Sequence, residues 1–345
     1  MLRSGRGRVL ALLLAVLLLL CACGSFPPPA PSAAPEAAVA SEPSPSPAPA
    51  TEPPPSSPLP TGEIRPRPEP ILYDDLLPER YRRPCPNAGT LLDWSYDTVD
   101  WETQEAVSRP VQIYLPFGWE SGRAYNVLVL LHGLGGSEQS WLSDLHPVGG
   151  EALALRTVLD NMINEGRIEP LIVVCPSLYM CVGDGRRTTQ YDQLAYELKD
   201  TILPYVAAEY GSYAASPEPE DLAAAREHFA IGGASWGSYY TYESGMGLSL
   251  PFFSGFLCFS GDGDAPWLSR ILDSPEYSEY DIALYYAAAG TGDVARPSEE
   301  RCYATLTGAD PRLREGENAW LHLTAGGHDW TVWSTELFNA LQLLF

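Results

Sequence analysis

Short apolar runs alternate with longer amphipathic segments from residue 71 onward. The first run, Val111–Leu115, alternates apolar and polar residues, which is typical of an edge or half-buried strand. The other runs are continuous and apolar, as expected for strands buried on both faces. These predicted strands are Asn126–Leu131, Leu171–Cys175, Phe229–Gly232, Phe256–Phe259, Leu284–Ala289 and Trp320–Leu323.

Two amphipathic segments between the runs have helical spacing. They are Leu153–Ile168 and Tyr191–Tyr210, and the second repeats an apolar residue at every fourth position from Leu194 to Val206. Buried strands separated by helices predict an α/β fold, with a mostly parallel sheet covered by helices on both faces. No second linker interrupts residues 71–345, so we expect a single domain there.

The amino terminus has the layout of an export signal. Three arginines precede the apolar run Val9–Leu20, which is too short for a permanent membrane span. The next residues resemble a bacterial lipobox, with Ala22 before Cys23. We therefore expect residues 1–22 to be a signal peptide, Cys23 to be lipidated, and the protein to face outward from the cell membrane. The alternative is an ordinary cleaved signal with two incidental cysteines.

Residues 23–70 form a proline-rich linker. Between Gly24 and Pro60, 14 of 37 residues are proline, and the only aromatic residue is Phe26. Such a segment buries too little apolar surface to fold, so we expect it to be disordered. In a polyproline conformation, at ~3.1 Å per residue, it could hold the domain up to ~115 Å from its anchor.

Acidic residues outnumber basic residues 44 to 21, giving a formal charge of -23. This surface is unsuited to nucleic acid, and contact with a membrane is expected only through the lipid anchor. Five cysteines lie beyond Cys23, and their spacing does not suggest a metal site. A disulfide between Cys175 and Cys181 is left open. No cofactor is expected.

The motif Gly-Ala-Ser-Trp-Gly at positions 233–237 directly follows a predicted strand. In the strand-turn-helix setting, G-x-S-x-G forms a nucleophile elbow, which strains the serine backbone and leaves the Oγ atom at the tip of the turn. Ser235 is therefore the predicted nucleophile. The alternative is a glycine-rich packing turn.

A serine nucleophile needs a histidine base and an acid that orients it. The usual chain order leaves His322 and His328, of which His322 lies inside an apolar strand and is predicted to be a core residue. His328 follows the last strand in a glycine-rich loop and is the predicted base. Asp293 is the predicted acid. Its rivals are Asp262, Asp264 and Asp329.

Two backbone N–H groups are predicted to hold the oxyanion, those of Trp236 and of Leu134 in the glycine-rich loop after Asn126–Leu131. Three further tryptophans adjoin the catalytic loops, and we expect them to line an aromatic acyl pocket. These substrate-binding candidates are Trp141, Trp330 and Trp333.

Several segments resemble carbohydrate esterase family 1 of the α/β-hydrolases, whose members include feruloyl esterases appended to xylanases. They occur in family order over roughly residues 107–333: "VQIYLPFGW", "YNVLVLLHGLGGSEQSW", "VLDNMINEGRIEPLIVVCPS", "YELKDTILPYVAAEY", "HFAIGGASWGS", "FSGD", "AAGTGD" and "GGHDWTVW". The resemblance implies the α/β-hydrolase fold and places Ser235, Asp293 and His328 at the triad positions. It also implies hydroxycinnamoyl esters of carbohydrates as substrates.

The elbow departs from the family's usual G-x-S-M-G-G at Trp236 and Ser238. A bulky Trp236 beside the oxyanion hole would narrow the acyl pocket, which favours small acyl groups. The expected function is a metal-independent serine esterase acting on acylated carbohydrates or small esters. The alternatives are a short-chain acyl esterase, an acyltransferase of the same superfamily, and a non-catalytic surface-binding protein.

Overall fold

The computed structural model of the chain describes residues 68–182 and 185–345. The predicted signal peptide, Cys23 and almost the whole predicted linker lie outside these residues. None of the helices in the described ranges is both long and apolar enough to span a lipid bilayer.

Twelve strands are present in the described residues. They are β1 (Thr90–Val99), β2 (Ala106–Leu115), β3 (Asn126–Leu131), β4 (His146–Val148), β5 (Glu151–Leu153), β6 (Leu171–Pro176), β7 (Tyr179–Val182), β8 (Gly185–Thr188), β9 (Phe229–Ala234), β10 (Gly255–Phe259), β11 (Leu284–Gly290) and β12 (Ala319–Thr324).

Nine α-helices surround these strands in the same part of the chain. They are α1 (Glu79–Arg82), α2 (Arg156–Asn164), α3 (Tyr191–Glu197), α4 (Leu203–Tyr210), α5 (Pro219–Ala224), α6 (Trp236–Tyr240), α7 (Ala265–Leu272), α8 (Arg296–Ala309) and α9 (Trp330–Leu341). Two π-helical segments, Leu198–Ile202 and Thr241–Gly247, continue α3 and α6, and a short 3₁₀ turn, Arg226–His228, precedes β9.

Eight strands form one sheet, in the order β1-β2-β6-β3-β9-β10-β11-β12. β1 pairs antiparallel with β2 and β2 antiparallel with β6, whereas every pair from β6 to β12 is parallel. The hairpins β4–β5 and β7–β8 lie outside this sheet. The prediction of a mostly parallel α/β sheet is confirmed.

Alternate residues of β3 enter two separate hydrophobic cores. Val127, Val129 and Leu131 belong to one cluster, and Leu128 and Leu130 belong to the other. Because successive side chains of a strand point to opposite faces, both faces of the sheet are covered. The continuous apolar run in the sequence reflects this two-sided burial.

The structure corrects two of the predicted elements. β2 is an interior strand between β1 and β6, and its Gln112 is buried because the amide bonds to Asp93 and Ser143. The helix predicted from Leu153 to Ile168 is shorter, since Leu153 belongs to the β4–β5 hairpin and the helix covers only Arg156–Asn164. The segment Tyr191–Tyr210 is helical throughout, as predicted.

Candidate active site

Ser235 lies in the sharp turn between β9 and α6. Its backbone has φ 57° and ψ -116°, outside the regions that a serine normally occupies. Two backbone hydrogen bonds hold this geometry: Ser235 N–H donates to Phe259 O over 2.8 Å, and Tyr239 N–H donates to Ser235 O over 3.2 Å. The strained turn is the one that the G-x-S-x-G motif predicts.

The two motif glycines are required by close backbone contacts. A Cβ atom at Gly233 would lie 2.6 Å from the carbonyl carbon of Gly237. A Cβ atom at Gly237 would lie 2.1 Å from the carbonyl oxygen of Leu131, at the end of β3. Either side chain would force the elbow away from the sheet, so both positions admit only glycine in this geometry.

The structure brings Ser235, His328 and Asp293 into one hydrogen-bonded chain. His328 Nε2 lies 2.9 Å from Ser235 Oγ, and His328 Nδ1 lies 2.9 Å and 3.2 Å from the two carboxylate oxygens of Asp293. Because a carboxylate only accepts, the Nδ1 atom carries the proton and the Nε2 atom can accept the serine hydroxyl. The arrangement is suited to removing a proton from Ser235.

The Asp293 side chain is fully buried behind the histidine. Burial alone raises the pKa of this carboxyl, but hydrogen bonds from His328, Ser260 and the Ala295 N–H, together with the charge of His328, bring the pKa below its ordinary value. The acid therefore remains ionised at neutral pH, the state needed to orient an imidazole and to stabilise an imidazolium.

The three rival aspartates are engaged elsewhere. Asp264 caps α7, and its side chain accepts the backbone N–H of Trp267. Asp329 caps α9, and its side chain accepts the backbone N–H groups of Thr331 and Val332. Asp262 accepts the Gly263 N–H and lies 3.7 Å from a guanidinium nitrogen of Arg301. Only Asp293 is hydrogen-bonded to His328 among the described carboxylates.

His322, predicted to be a core residue, is only partly buried, because β12 is an edge strand of the sheet. Its Nδ1 atom lies 3.0 Å from the fully buried carboxylate of Glu336, which also accepts the hydroxyl of Tyr286 over 2.7 Å. Burial lowers the pKa of His322, but Glu336 and Asp74 raise it further, so the net pKa is above its ordinary value. This histidine belongs to a separate network.

The glycine-rich loop after β3 lies against the nucleophile. A Cβ atom at Gly133 would lie 3.4 Å from the Ser235 Cβ atom, so this backbone approaches the serine closely. Within the described residues, no acceptor is present for the backbone N–H of Leu134 or for that of Trp236. The two N–H groups therefore remain the candidate donors to an oxyanion, and the Leu134 side chain is 48% exposed.

Two residues that support this loop were missed by the sequence reasoning. The Tyr179 hydroxyl accepts the Gly135 N–H over 2.9 Å. The His132 Nε2 atom accepts the Leu178 N–H over 2.9 Å, so its Nδ1 atom is the protonated nitrogen and donates to Gly133 O over 2.8 Å. His132 directly follows β3, and this position was the available signal.

The three tryptophans predicted to bind substrate form one cluster beside His328, with different accessibility. Trp141 is only 1% exposed and donates to Leu131 O over 3.0 Å, so it is a packing residue and not a pocket wall. Trp333 is 8% exposed, and its ring meets the edge of His328 at 5.1 Å. Trp330 is partly exposed and stacks on His146 at 3.7 Å.

The structure shows that Cys175 and Cys181 do not form a disulfide. Cys175 is buried in β6 and Cys181 is exposed on β7, and both are free thiols, so they form no bridge. The Cys175 side chain belongs to one of the two hydrophobic cores. In the described part of the chain, no group of histidine, cysteine and acidic residues is arranged to hold a metal ion.

The chain is similar in sequence and fold to several known proteins. No protein-family model matches the chain. Endo-1,4-beta-xylanase Y of Acetivibrio thermocellus is 30% identical over 234 residues, which are 66% of this chain and 19% of that protein. The chain therefore spans about a fifth of the length of this curated relative.

Two solved structures share the fold. A protein named FAE is 25% identical, with a TM-score of 0.68 over 80% of this chain and 95% of its own. A serine-to-alanine mutant of the feruloyl esterase module from Clostridium thermocellum, complexed with sinapinate, is 24% identical, with the same TM-score and coverage. The fold is that of the α/β-hydrolases, and the prediction of a carboxylic ester hydrolase is confirmed at the level of enzyme class.

Proposed function

We propose that residues 71–345 form a serine esterase that hydrolyses hydroxycinnamoyl esters of carbohydrates through an acyl-enzyme. The observation that carries the proposal is the chain from Asp293 through His328 to Ser235, with both contacts of the histidine at 2.9 Å. These residues supply a nucleophile, a base and an orienting acid at the edge of the sheet where the parallel strands end.

In the first half-reaction, Ser235 Oγ bonds to the ester carbonyl carbon while its proton passes to His328 Nε2. The carbonyl oxygen becomes an oxyanion, which the N–H groups of Leu134 and Trp236 are placed to stabilise, at ~3 kcal/mol for each donor. The bond to the alcohol then breaks, and His328 gives its proton to the leaving oxygen. The product of this step is an acyl-serine.

In the second half-reaction, a water molecule attacks the acyl carbon and gives one proton to His328. Collapse of the second tetrahedral intermediate breaks the bond to Ser235 Oγ, and His328 returns the proton to that oxygen. Asp293 remains a carboxylate throughout, because its pKa is held low and its role is to stabilise the imidazolium.

An aromatic acyl group is supported by two features. The partly exposed ring of Trp330 lies in the cluster beside His328, and the exposed side chain of Leu134 lies on the oxyanion loop. The feruloyl esterase module cited above was solved with sinapinate, an aromatic acid. A planar ring packed against such a surface gains ~0.5–1.5 kcal/mol beyond its burial.

We therefore expect kcat/KM for methyl ferulate to exceed that for methyl acetate by about tenfold. Trp330→Ala should reduce the ferulate value and leave the acetate value nearly unchanged. Trp101→Ala is the matched control, because Trp101 is an exposed tryptophan of the β1–β2 turn. A wild-type ratio below one would reject the hydroxycinnamoyl substrate and leave a short-chain acyl esterase.

We further propose that the domain is exported and anchored through a lipidated Cys23, as the basic-apolar-cysteine order of residues 1–23 supports. Mass spectrometry of the protein extracted from membranes should find Cys23 acylated and N-terminal. Cys21→Ser should leave the acylation intact, and Cys23→Ser should abolish it. A mature form that begins elsewhere, with Cys23 unmodified, would contradict the proposal.

A further inference from the structure

The turn after β10 contains a second strained residue. Ser260 has φ 57°, is 1% exposed, and donates its N–H to Ala288 O of β11 over 2.7 Å. The next residue, Gly261, packs against the nucleophile elbow: a Cβ atom there would lie 3.3 Å from Ser235 O. A buried non-glycine residue with positive φ is costly, and such strain is retained where the surrounding contacts fix it.

The hydroxyl of Ser260 is linked to two residues of the catalytic centre. Its Oγ atom accepts the indole N–H of Trp333 over 3.0 Å. The Ser260 hydroxyl is also one of the groups whose hydrogen bonding lowers the pKa of the Asp293 carboxyl. Because a hydroxyl has one hydrogen, accepting from the indole leaves that hydrogen for Asp293. Trp333 in turn meets the ring edge of His328 at 5.1 Å. Ser260 is thus linked to the base through the ring of Trp333, and its hydroxyl favours the ionised form of the acid.

Glu299 of α8 holds the same turn from behind. Its side chain is completely buried, one carboxyl oxygen accepts the Gly261 N–H over 2.6 Å, and the other bonds to the Tyr242 hydroxyl, which lies 2.8 Å from the Tyr285 hydroxyl. Burial raises the pKa of Glu299 to about 8, against the lowering effect of these bonds. At neutral pH the carboxyl is mostly protonated, so it can donate to Tyr242 while accepting from Gly261.

We propose that Ser260 and Glu299 are positioning residues for the catalytic acid: Glu299 fixes the Ser260–Gly261 turn, and the Ser260 hydroxyl fixes the Asp293 carboxylate against His328. Neither residue is expected to contact the substrate. The inference rests on the proposed esterase function. It adds two residues that act through Asp293 and not on the ester.

The first test is Ser260→Ala, assayed with an aryl ester. We expect kcat to fall about tenfold at constant KM, since a displaced catalytic group lowers turnover without weakening binding. The acid limb of the kcat/KM profile should also move to lower pH, because a less firmly held Asp293 stabilises the imidazolium less. Ser249→Ala is the matched control: Ser249 is also 1% exposed, and its hydroxyl has no partner in the described structure.

The second test compares Glu299→Gln with Glu299→Ala. Glutamine can accept from Gly261 and donate to Tyr242 as a protonated carboxyl does, so Glu299→Gln should keep kcat within about twofold. Alanine leaves both buried partners unpaired, so Glu299→Ala should lose thermal stability and lower kcat as Ser260→Ala does. Glu300→Gln, on the same helix but half exposed, is the control for the loss of a surface carboxyl.

The Gln variant also gives a readout that does not depend on turnover. Because the pKa of Glu299 is raised in the folded state, its contribution to stability is complete below an ordinary carboxyl pKa and is lost as the pH rises toward about 8. The melting temperature of Glu299→Gln relative to wild type should therefore increase between pH 5 and pH 8. The titratable groups facing Glu299 from the packed elements are Tyr242, Cys258, Asp262, Tyr285, Asp293 and Cys302.

These experiments distinguish a failure of the proposed esterase function from a failure of the positioning role of Ser260 and Glu299. A wild-type enzyme inactive on every ester would reject the proposed function itself. With an active wild type, a Ser260→Ala enzyme that keeps the wild-type kcat, or loses kcat with an unmoved acid limb, overturns the role of Ser260. An inactive but folded Glu299→Gln enzyme overturns the role of Glu299 as a neutral support. If Glu299→Ala does not fold, the other two variants still decide.

Discussion

Ser235→Ala is expected to lower kcat for ester hydrolysis by about a million-fold and to leave the fold intact. The acyl-serine divides the reaction into two easier steps, and alanine cannot form it. Among the described residues, no other hydroxyl lies within hydrogen-bond distance of His328 Nε2. Water would have to replace the serine without a covalent intermediate. The Cβ atom and the strained backbone are common to both residues, so the elbow should keep its shape.

The measurement is single-turnover kinetics with an aryl ester, together with labelling by a fluorophosphonate and mass spectrometry. Wild type should show a burst of alcohol release and gain one label on Ser235, whereas Ser235→Ala should show neither. Ser249→Ala, which changes a buried serine with no hydrogen-bond partner in the described residues, should behave as wild type. A Ser235→Ala enzyme with more than a hundredth of the wild-type rate would show that another group is the nucleophile.

The catalytic constellation could be predicted because a parallel sheet converts chain order into spatial order. Ser235 follows β9, Asp293 follows β11 and His328 follows β12, and the carboxyl ends of parallel strands meet at one edge of the sheet. β9 and β11 are buried along their whole length and therefore appear in the sequence as continuous apolar runs, whereas β12 is a partly buried edge strand whose apolar run is interrupted by His322. Strand ends, and with them the site, could be located without any knowledge of tertiary contacts.

The elements that escaped prediction lack this signal. β1 (Thr90–Val99) is a long edge strand with one solvent-facing side, so polar residues interrupt it throughout. The hairpins β4–β5 and β7–β8 have strands of three or four residues, too short to show a period. The segment Val111–Leu115 is also too short for its pattern to show its place in the sheet. It resembles an edge strand, although β1 pairs with it.

The solvent exposure of the tryptophans in the site could not be predicted either. Trp141 and Trp330 have the same side chain and both follow catalytic loops in the sequence, yet Trp141 is buried and Trp330 is partly exposed. The difference comes from long-range contacts: the indole of Trp141 bonds to Leu131 O, and the ring of Trp330 stacks on His146. The support of Ser260 by Glu299 is equally nonlocal, since the two residues are 39 positions apart.

Asp293→Asn is expected to lower kcat by about ten-thousand-fold with little change in KM. The carboxylate accepts from His328 Nδ1 over 2.9 Å and thereby keeps the proton on that nitrogen. An asparagine side chain can instead donate to Nδ1, which places the imidazole proton on Nε2, where it cannot accept from Ser235. The variant also lacks the negative charge that stabilises the imidazolium in both transition states.

The rival aspartates provide the controls for this variant. Asp262→Asn and Asp329→Asn each remove one carboxylate near the same loops. Asp262 contacts Gly263 and Arg301, and Asp329 contacts the first turn of α9, so neither carboxylate is bound to His328. Both variants should keep kcat within about tenfold of wild type, and Asp329→Asn should change stability little, because asparagine caps a helix about as well as aspartate. Raising the pH should not restore Asp293→Asn, since the defect is the wrong tautomer and not a protonated base. If Asp293→Asn kept a tenth of the wild-type kcat while Asp262→Asn was inactive, the acid would have to be reassigned to the loop after β10.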